Sequence, residues 1–198
     1  MSDAEVWLVR HGETEWSRDH KHTSTTDLPL TEVGEGVARG LSERLGDVGF
    51  DLVLASPRQR ASRSAELAGF SEAEVEENLV EWGYGDYEGV TTVEIRETVP
   101  GWSVWTHPTP GGETGDEVGA RLDRVVSRCR AAGGRTLVFG HGHALRVLGA
   151  RWIGLPPESG ALLALSTASL SILGWERGRQ VIQLWNDLSH LAGAAAGH

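Results

Sequence analysis

Cysteine is almost absent from this 198-residue chain: the single Cys129 rules out a disulfide framework within it. Cys129 falls among apolar residues at helical spacing and is expected to be a buried core thiol, not a nucleophile. Long apolar runs are missing as well. No stretch approaches the ~18 uninterrupted apolar residues that a membrane-crossing helix needs. The opening residues "MSDAEVW" lack the basic-then-apolar layout of a signal peptide, so a cytoplasmic protein is expected. Basic residues are outnumbered, 18 Lys and Arg against 28 Asp and Glu, for a formal net charge of -10. Nucleic acid and anionic membrane, which both attract a surplus of positive charge, are therefore excluded as partners. Any anion that the chain handles must be held locally.

The pattern of what remains alternates between strands and helices. Glu5 to Val9, Asp51 to Ala55 and Thr136 to Phe139 read as short buried strands. Val33, Val37, Leu41 and Leu45 recur every four residues and predict a helix opening near Thr31. In "SPRQRASRSAELA", Ser56 is the expected N-cap and Pro57 the first helical residue. Val118, Leu122, Val125, Val126 and Cys129 mark a helix closed by Gly133 and Gly134, and another is expected from about His143 to Trp152. Strands near Ser169 to Trp175 and Val181 to Trp185, joined by "ERGRQ", read as an antiparallel hairpin. The expected fold is α/β: a three-layer sandwich whose mainly parallel central sheet is flanked by helices, with the hairpin near the C-terminus. One domain over 1–190 is expected, with 84–112 a lid-like excursion and 191–198 a disordered tail. The chain is expected to act as a monomer or homodimer.

Polar residues at the strand ends point to function. The first strand runs into Arg10 and His11, the second into Ser56 with Arg60 one turn on, and the third into Gly140 and His141. In an open parallel sheet, ligands bind at the carboxyl ends of the strands, so these groups should meet on one rim. Two arginines and two histidines beside helix N-termini describe an anion site, and the planar fork of arginine suits phosphate. The pairs His20/His22 and His141/His143 have no carboxylate or cysteine at a familiar ligand spacing, so no metal or other cofactor is expected and "HKH" is taken as an exposed loop. Arg146 is expected to hold the loop after His141 by a salt bridge. Trp82, Tyr84, Tyr87, Trp102 and Trp105 are expected mostly to pack in the core or lid, with one or two walling the pocket that selects the leaving group.

"RHGETEW", "DLPLT", "ASPRQRASRSA", "EWGYGDYEG" and the late "GHG", in that order and spacing, resemble the histidine phosphatase superfamily over nearly the whole chain. "EWGYGDYEG" and "GWSVWTHPTPGGET" are most similar to its acid phosphatase and sugar-bisphosphate phosphatase branch. The resemblance implies a phosphomonoesterase acting on a small phosphorylated metabolite such as a sugar phosphate, with His11 as a nucleophile that forms a phosphohistidine. It implies Arg10, Arg60 and His141 as clamps on the transferring group, Glu81 as general acid and base, and Thr23 and Gly142 as phosphate contacts. Ser17 stands where the family has asparagine and still offers a hydrogen bond to phosphate. Ser24 replaces a glycine that would let the backbone approach the ligand. A phosphoglycerate mutase and a non-catalytic phospho-ligand-binding member of the fold are the alternatives.

Overall fold

The computed structural model describes residues 4–191. In chain order, β1 (Glu5–Arg10) leads through α1 (Glu15–Arg18) and α2 (Glu32–Leu45) to β2 (Leu52–Ala55), then α3 (Gln59–Leu67) and β3 (Glu74–Val75). After α4 (Thr92–Thr98) and α5 (Gly115–Ala132) come β4 (Arg135–Gly140), α6 (Gly142–Trp152), β5 (Leu170–Glu176) and β6 (Arg179–Asp187). The six strands form one sheet ordered β3-β2-β4-β1-β5-β6. The first four of these are parallel, and β5 and β6 add on antiparallel.

The inner strands β1, β2 and β4 are covered on both faces, and alternation divides their side chains between two cores. Val6 and Leu8 of β1, Leu54 of β2 and Val138 of β4 point to one side, where they meet Leu122 and Val125 of α5 and Leu145 and Leu148 of α6. Val9, Ala55, Leu137 and Phe139 point to the other side, against Leu41 and Leu45 of α2 and Ala65 of α3. This is the expected three-layer sandwich.

Several boundaries differ from expectation. Thr31 does cap α2, accepting from the Gly34 N–H at 3.0 Å, but the buried face is Gly34, Ala38, Leu41 and Leu45, while Val33 is 63% exposed. The first turn of α2 lies so close to the chain leaving β1 that a Cβ on Gly34 would collide with the Glu13 backbone, which turns the small residue inward and Val33 out. Ser56 is not the N-cap of α3. It extends the β2 ladder, its N–H donating to the Phe139 carbonyl at 3.0 Å, and the helix starts at Gln59. The two-residue strand β3 and helices α1 and α4 are too short for apolar periodicity to reveal. The hairpin turns through Arg177 and Gly178, both at positive φ (50° and 76°), the geometry that matches strand twist. Leu191 closes a short 3-10 turn, Ser189–Leu191, and the rest of the expected tail lies outside the described residues.

Candidate active site

Register brings the predicted residues together. Arg10 sits opposite Gly140 and Ala55 opposite Phe139, so β1, β4 and β2 end level. His11 carries the ladder one residue further, its N–H donating to the Gly140 carbonyl at 3.0 Å. Arg10 and His11, with Gly142 just past the end of β4, therefore open onto one pocket of about 260 Å³.

His11 is 5% exposed. Its Nδ1 lies 2.7 Å from the Gly12 carbonyl, which can only accept, so Nδ1 carries the proton and Nε2 keeps its lone pair. Burial holds this imidazole well below its ordinary pKa of 6.5, helped by the charges of Arg60 and then Arg10, against the opposing bond to Gly12. The ring therefore stays neutral, as a nucleophile must. The His141 ring stands edge-on to it, centroids 5.2 Å apart.

Arg60 and His141 form the layer behind the pocket, both fully buried. Arg60 Nε donates to His141 Nδ1 at 3.2 Å, and its terminal nitrogens donate to the carbonyls of Thr26 (3.1 Å), Thr23 (3.2 Å) and Ser24 (3.3 Å). With Nδ1 accepting, His141 Nε2 bears the proton and donates to Ser56 Oγ at 2.7 Å. Burial and the neighbouring Arg60 charge push the pKa of His141 down as well.

Arg10 lies on the pocket wall. Its NH1 donates to the Leu165 carbonyl at 2.6 Å, while its buried Nε has no partner. Among the described residues no carboxylate pairs with it. A desolvated guanidinium without a counter-ion is a strong anion recogniser. Gly142 opens α6 beside it, where a Cβ would stand 3.3 Å from Arg10 Cζ.

Glu81 reaches the pocket from the segment ahead of α4. Its Oε1 accepts from the Trp82 N–H (2.9 Å) and the Ala144 N–H (2.8 Å), and its Oε2 from the His143 N–H (3.0 Å). It thus supplies the capping acceptor that α6 lacks at His141. Arg121 of α5 fixes this segment by donating to the carbonyls of Asn78, Val80 and Glu81, while pairing with both Glu113 oxygens. Thr23 and Ser17 also line the pocket. The Ser17 hydroxyl is engaged with Thr14, accepting from its N–H at 2.9 Å and donating to its carbonyl at 3.0 Å.

Three expectations change here. His22 is not an exposed loop residue but 8% exposed, with Nδ1 donating to the Val90 carbonyl at 2.7 Å. Arg146 makes no salt bridge. It donates to the carbonyls of Gly160 (3.0 Å) and Ala161 (3.3 Å), stacks over Trp105 and lines the pocket. Ser24 turns its hydroxyl away from the site onto Glu88 at 2.5 Å, a use that glycine cannot make.

Glu88, Arg121 and Glu113 were missed by the sequence reading, although Glu88 stands inside "EWGYGDYEG". Glu88 also accepts from the N–H groups of Ser24 and Thr26. Burial raises its pKa, but these bonds outweigh that and leave the carboxyl below its ordinary value. It holds the 23–26 loop whose carbonyls hold Arg60. Replacing Glu88 by Gln removes charge-assisted bonds worth about 1.5–3 kcal/mol each in general, so Tm is expected to fall by roughly 3–8 °C. The kcat should fall about tenfold with Arg60 less firmly placed; unchanged Tm and kcat in a thermal melt and steady-state assay would remove this role.

Comparison with known proteins agrees with the geometry. Residues 6–188 match the histidine phosphatase superfamily (branch 1). The chain is 40% identical to an acid phosphatase of Mycobacterium tuberculosis, over 96% of each chain. It is 36% identical to the sedoheptulose 1,7-bisphosphatase of Saccharomyces cerevisiae, over 75% of this chain and 67% of that one. A solved structure from Mycobacterium tuberculosis superposes with a TM-score of 0.87 at 39% identity, covering 92% of this chain and 97% of that one. The chain belongs to the histidine phosphatase superfamily. Within it, this protein is a phosphoric monoester hydrolase.

Proposed function

We propose that the enzyme removes phosphate from a small sugar phosphate through a phosphohistidine at His11, with no metal ion taking part. The observation that carries this reading is the Nε2 lone pair of a neutral His11, fixed by the Gly12 carbonyl, on the same pocket wall as the unpaired guanidinium of Arg10. In the first half-reaction Nε2 attacks phosphorus, an N–P bond forms, the ester P–O bond breaks and the leaving oxygen takes a proton from Glu81. In the second, water attacks phosphorus, the N–P bond breaks and Glu81 recovers a proton. Glu81 Oε2 accepts a single N–H, which leaves it a lone-pair direction for that proton.

Arg10 takes the equatorial oxygens directly, while Arg60 adds positive charge from behind His11 and steadies His141. The Gly142 N–H at the start of α6 and the Thr23 hydroxyl, once turned from the Lys21 carbonyl, complete the phosphate contacts, and His141 backs the nucleophile. The Ser17 hydroxyl gives its proton to the Thr14 carbonyl and shapes the α1 cap instead. A cavity of about 260 Å³ suits a small metabolite, since drug-sized ligands occupy ~300–1,000 Å³. The names of the relatives, an acid phosphatase and a sugar bisphosphatase, favour the same class. A cytoplasmic setting fits Cys129, a buried free thiol whose pKa burial pushes up to about 12.

The test is phosphate release, in excess chelator, from an aryl phosphate, sugar mono- and bisphosphates and 3-phosphoglycerate, with acid- and base-quenched samples assayed for protein-bound phosphate. Release with chelator present, and a bound phosphate that survives base but not acid, is the expected result. Isomerisation of 3-phosphoglycerate without release would make the enzyme a mutase, and inertness toward every compound would leave a binding protein.

A further inference from the structure

Part of the pocket wall has no use in phosphoryl transfer. The His22 ring packs against Tyr84 (centroids 4.7 Å) and edge-on to Trp102 (5.3 Å). With Nδ1–H given to the Val90 carbonyl, its Nε2 is an acceptor with no protein partner among the described residues. His143 lies nearly parallel to it, at 16° and 6.4 Å between centroids, with Nδ1 2.6 Å from the Tyr84 hydroxyl and no protein partner for its own Nε2. Two imidazoles and a phenol thus line the pocket, and the indoles of Trp102 and Trp105 pack behind the two imidazoles.

This wall is polar but uncharged. Burial, with the charge of Arg146, holds His143 well below the ordinary histidine range, and burial lowers His22. Burial likewise keeps the Tyr84 phenol protonated. The guanidinium nearest this wall, Arg146, is drawn onto the Gly160 and Ala161 carbonyls and the Trp105 ring. Neutral donors and acceptors backed by aromatic rings match hydroxyl groups on a carbon skeleton. Lys21 lines the same pocket, its ammonium 5.9 Å from the Trp16 ring centroid.

We propose that His22 and His143, the latter oriented by Tyr84, form a subsite that reads hydroxyl groups on the leaving-group side of the substrate, so that the enzyme prefers polyhydroxylated phosphomonoesters. The inference rests on the phosphatase reading. A substrate hydroxyl donates to His22 Nε2. With the Tyr84 hydroxyl donating to His143 Nδ1, His143 Nε2–H donates to a substrate oxygen. A site built to bond a hydroxyl rejects an analogue that lacks it, because its own buried groups are then left unpaired.

The experiment compares kcat/KM for glucose 6-phosphate and hexyl phosphate in the unaltered enzyme, in His22→Phe and in the milder Tyr84→Phe. The unaltered enzyme should favour the sugar phosphate at least tenfold. His22→Phe, which keeps an aromatic ring but loses the acceptor along with the Nδ1–H bond to Val90, should lower that preference by about 10- to 100-fold, and Tyr84→Phe by a smaller factor. A preference near one in the unaltered enzyme, or one that neither variant changes, overturns the subsite while leaving the phosphatase intact. Phosphate release from neither compound overturns the phosphatase reading and the subsite with it.

Discussion

His11→Asn should lower phosphate release by about 10⁴-fold or more and abolish acid-labile phosphate on the protein, because the variant has no nitrogen lone pair to attack phosphorus. Asparagine suits the test. Its amide N–H can still donate to the Gly12 carbonyl that takes His11 Nδ1–H, and it replaces a neutral ring by a neutral amide in a site that is 5% exposed. The charge balance with Arg10 and Arg60 is kept. The thermal midpoint should therefore move little, which separates lost chemistry from lost folding. Turnover within tenfold of the unaltered enzyme, in a stopped assay with the folded variant, would rule out the covalent step.

Arg10→Met should reduce kcat/KM by roughly 10³-fold, equivalent to about 4 kcal/mol of transition-state stabilisation. Charge develops on phosphoryl oxygens during transfer, and Arg10 is the pocket-lining guanidinium whose Nε is buried without a partner. Lysine should not restore the rate, because a compact ammonium cannot offer two parallel N–H groups. The variant should also show a shifted pH profile. Burial, Arg60 and Arg10 all push the His11 pKa down, so the neutral, active ring persists below pH 6.5 in the unaltered enzyme, and the acid limb of kcat/KM falls below that value. Removing Arg10 removes one depressing charge, so the limb should move up in pH. An acid limb that stays in place would show that the Arg10 charge does not act on His11.

The strand-end residues were legible from sequence because a parallel sheet places consecutive crossover loops on one rim. "VWLVRH" and "TLVFGH" each announce a buried strand followed at once by polar groups. Glu81 was legible only through resemblance, since two of its three N–H partners lie 62 and 63 positions away, at the start of α6. His22 was misread because local composition in "DHKHT" is polar, while the rings that bury it belong to Tyr84 and Trp102, far along the chain. Ser24 was a departure without a rationale until Glu88, 64 positions on, was seen to take its hydroxyl.

Sequence by itself determined the layered α/β order, the strand-end positions of Arg10, His11 and His141, and the family to which the chain belongs. Those features follow from local periodicity and from residue types at strand ends, which one stretch of chain expresses alone. Tertiary structure decided which groups face the pocket and which stand behind it. It placed Arg60 and His141 in a buried layer, made Glu81 the cap of α6 and turned His22 and His143 into a neutral wall. Those outcomes depend on burial and on hydrogen bonds between distant segments, and both exist only once the sheet has closed its ends together.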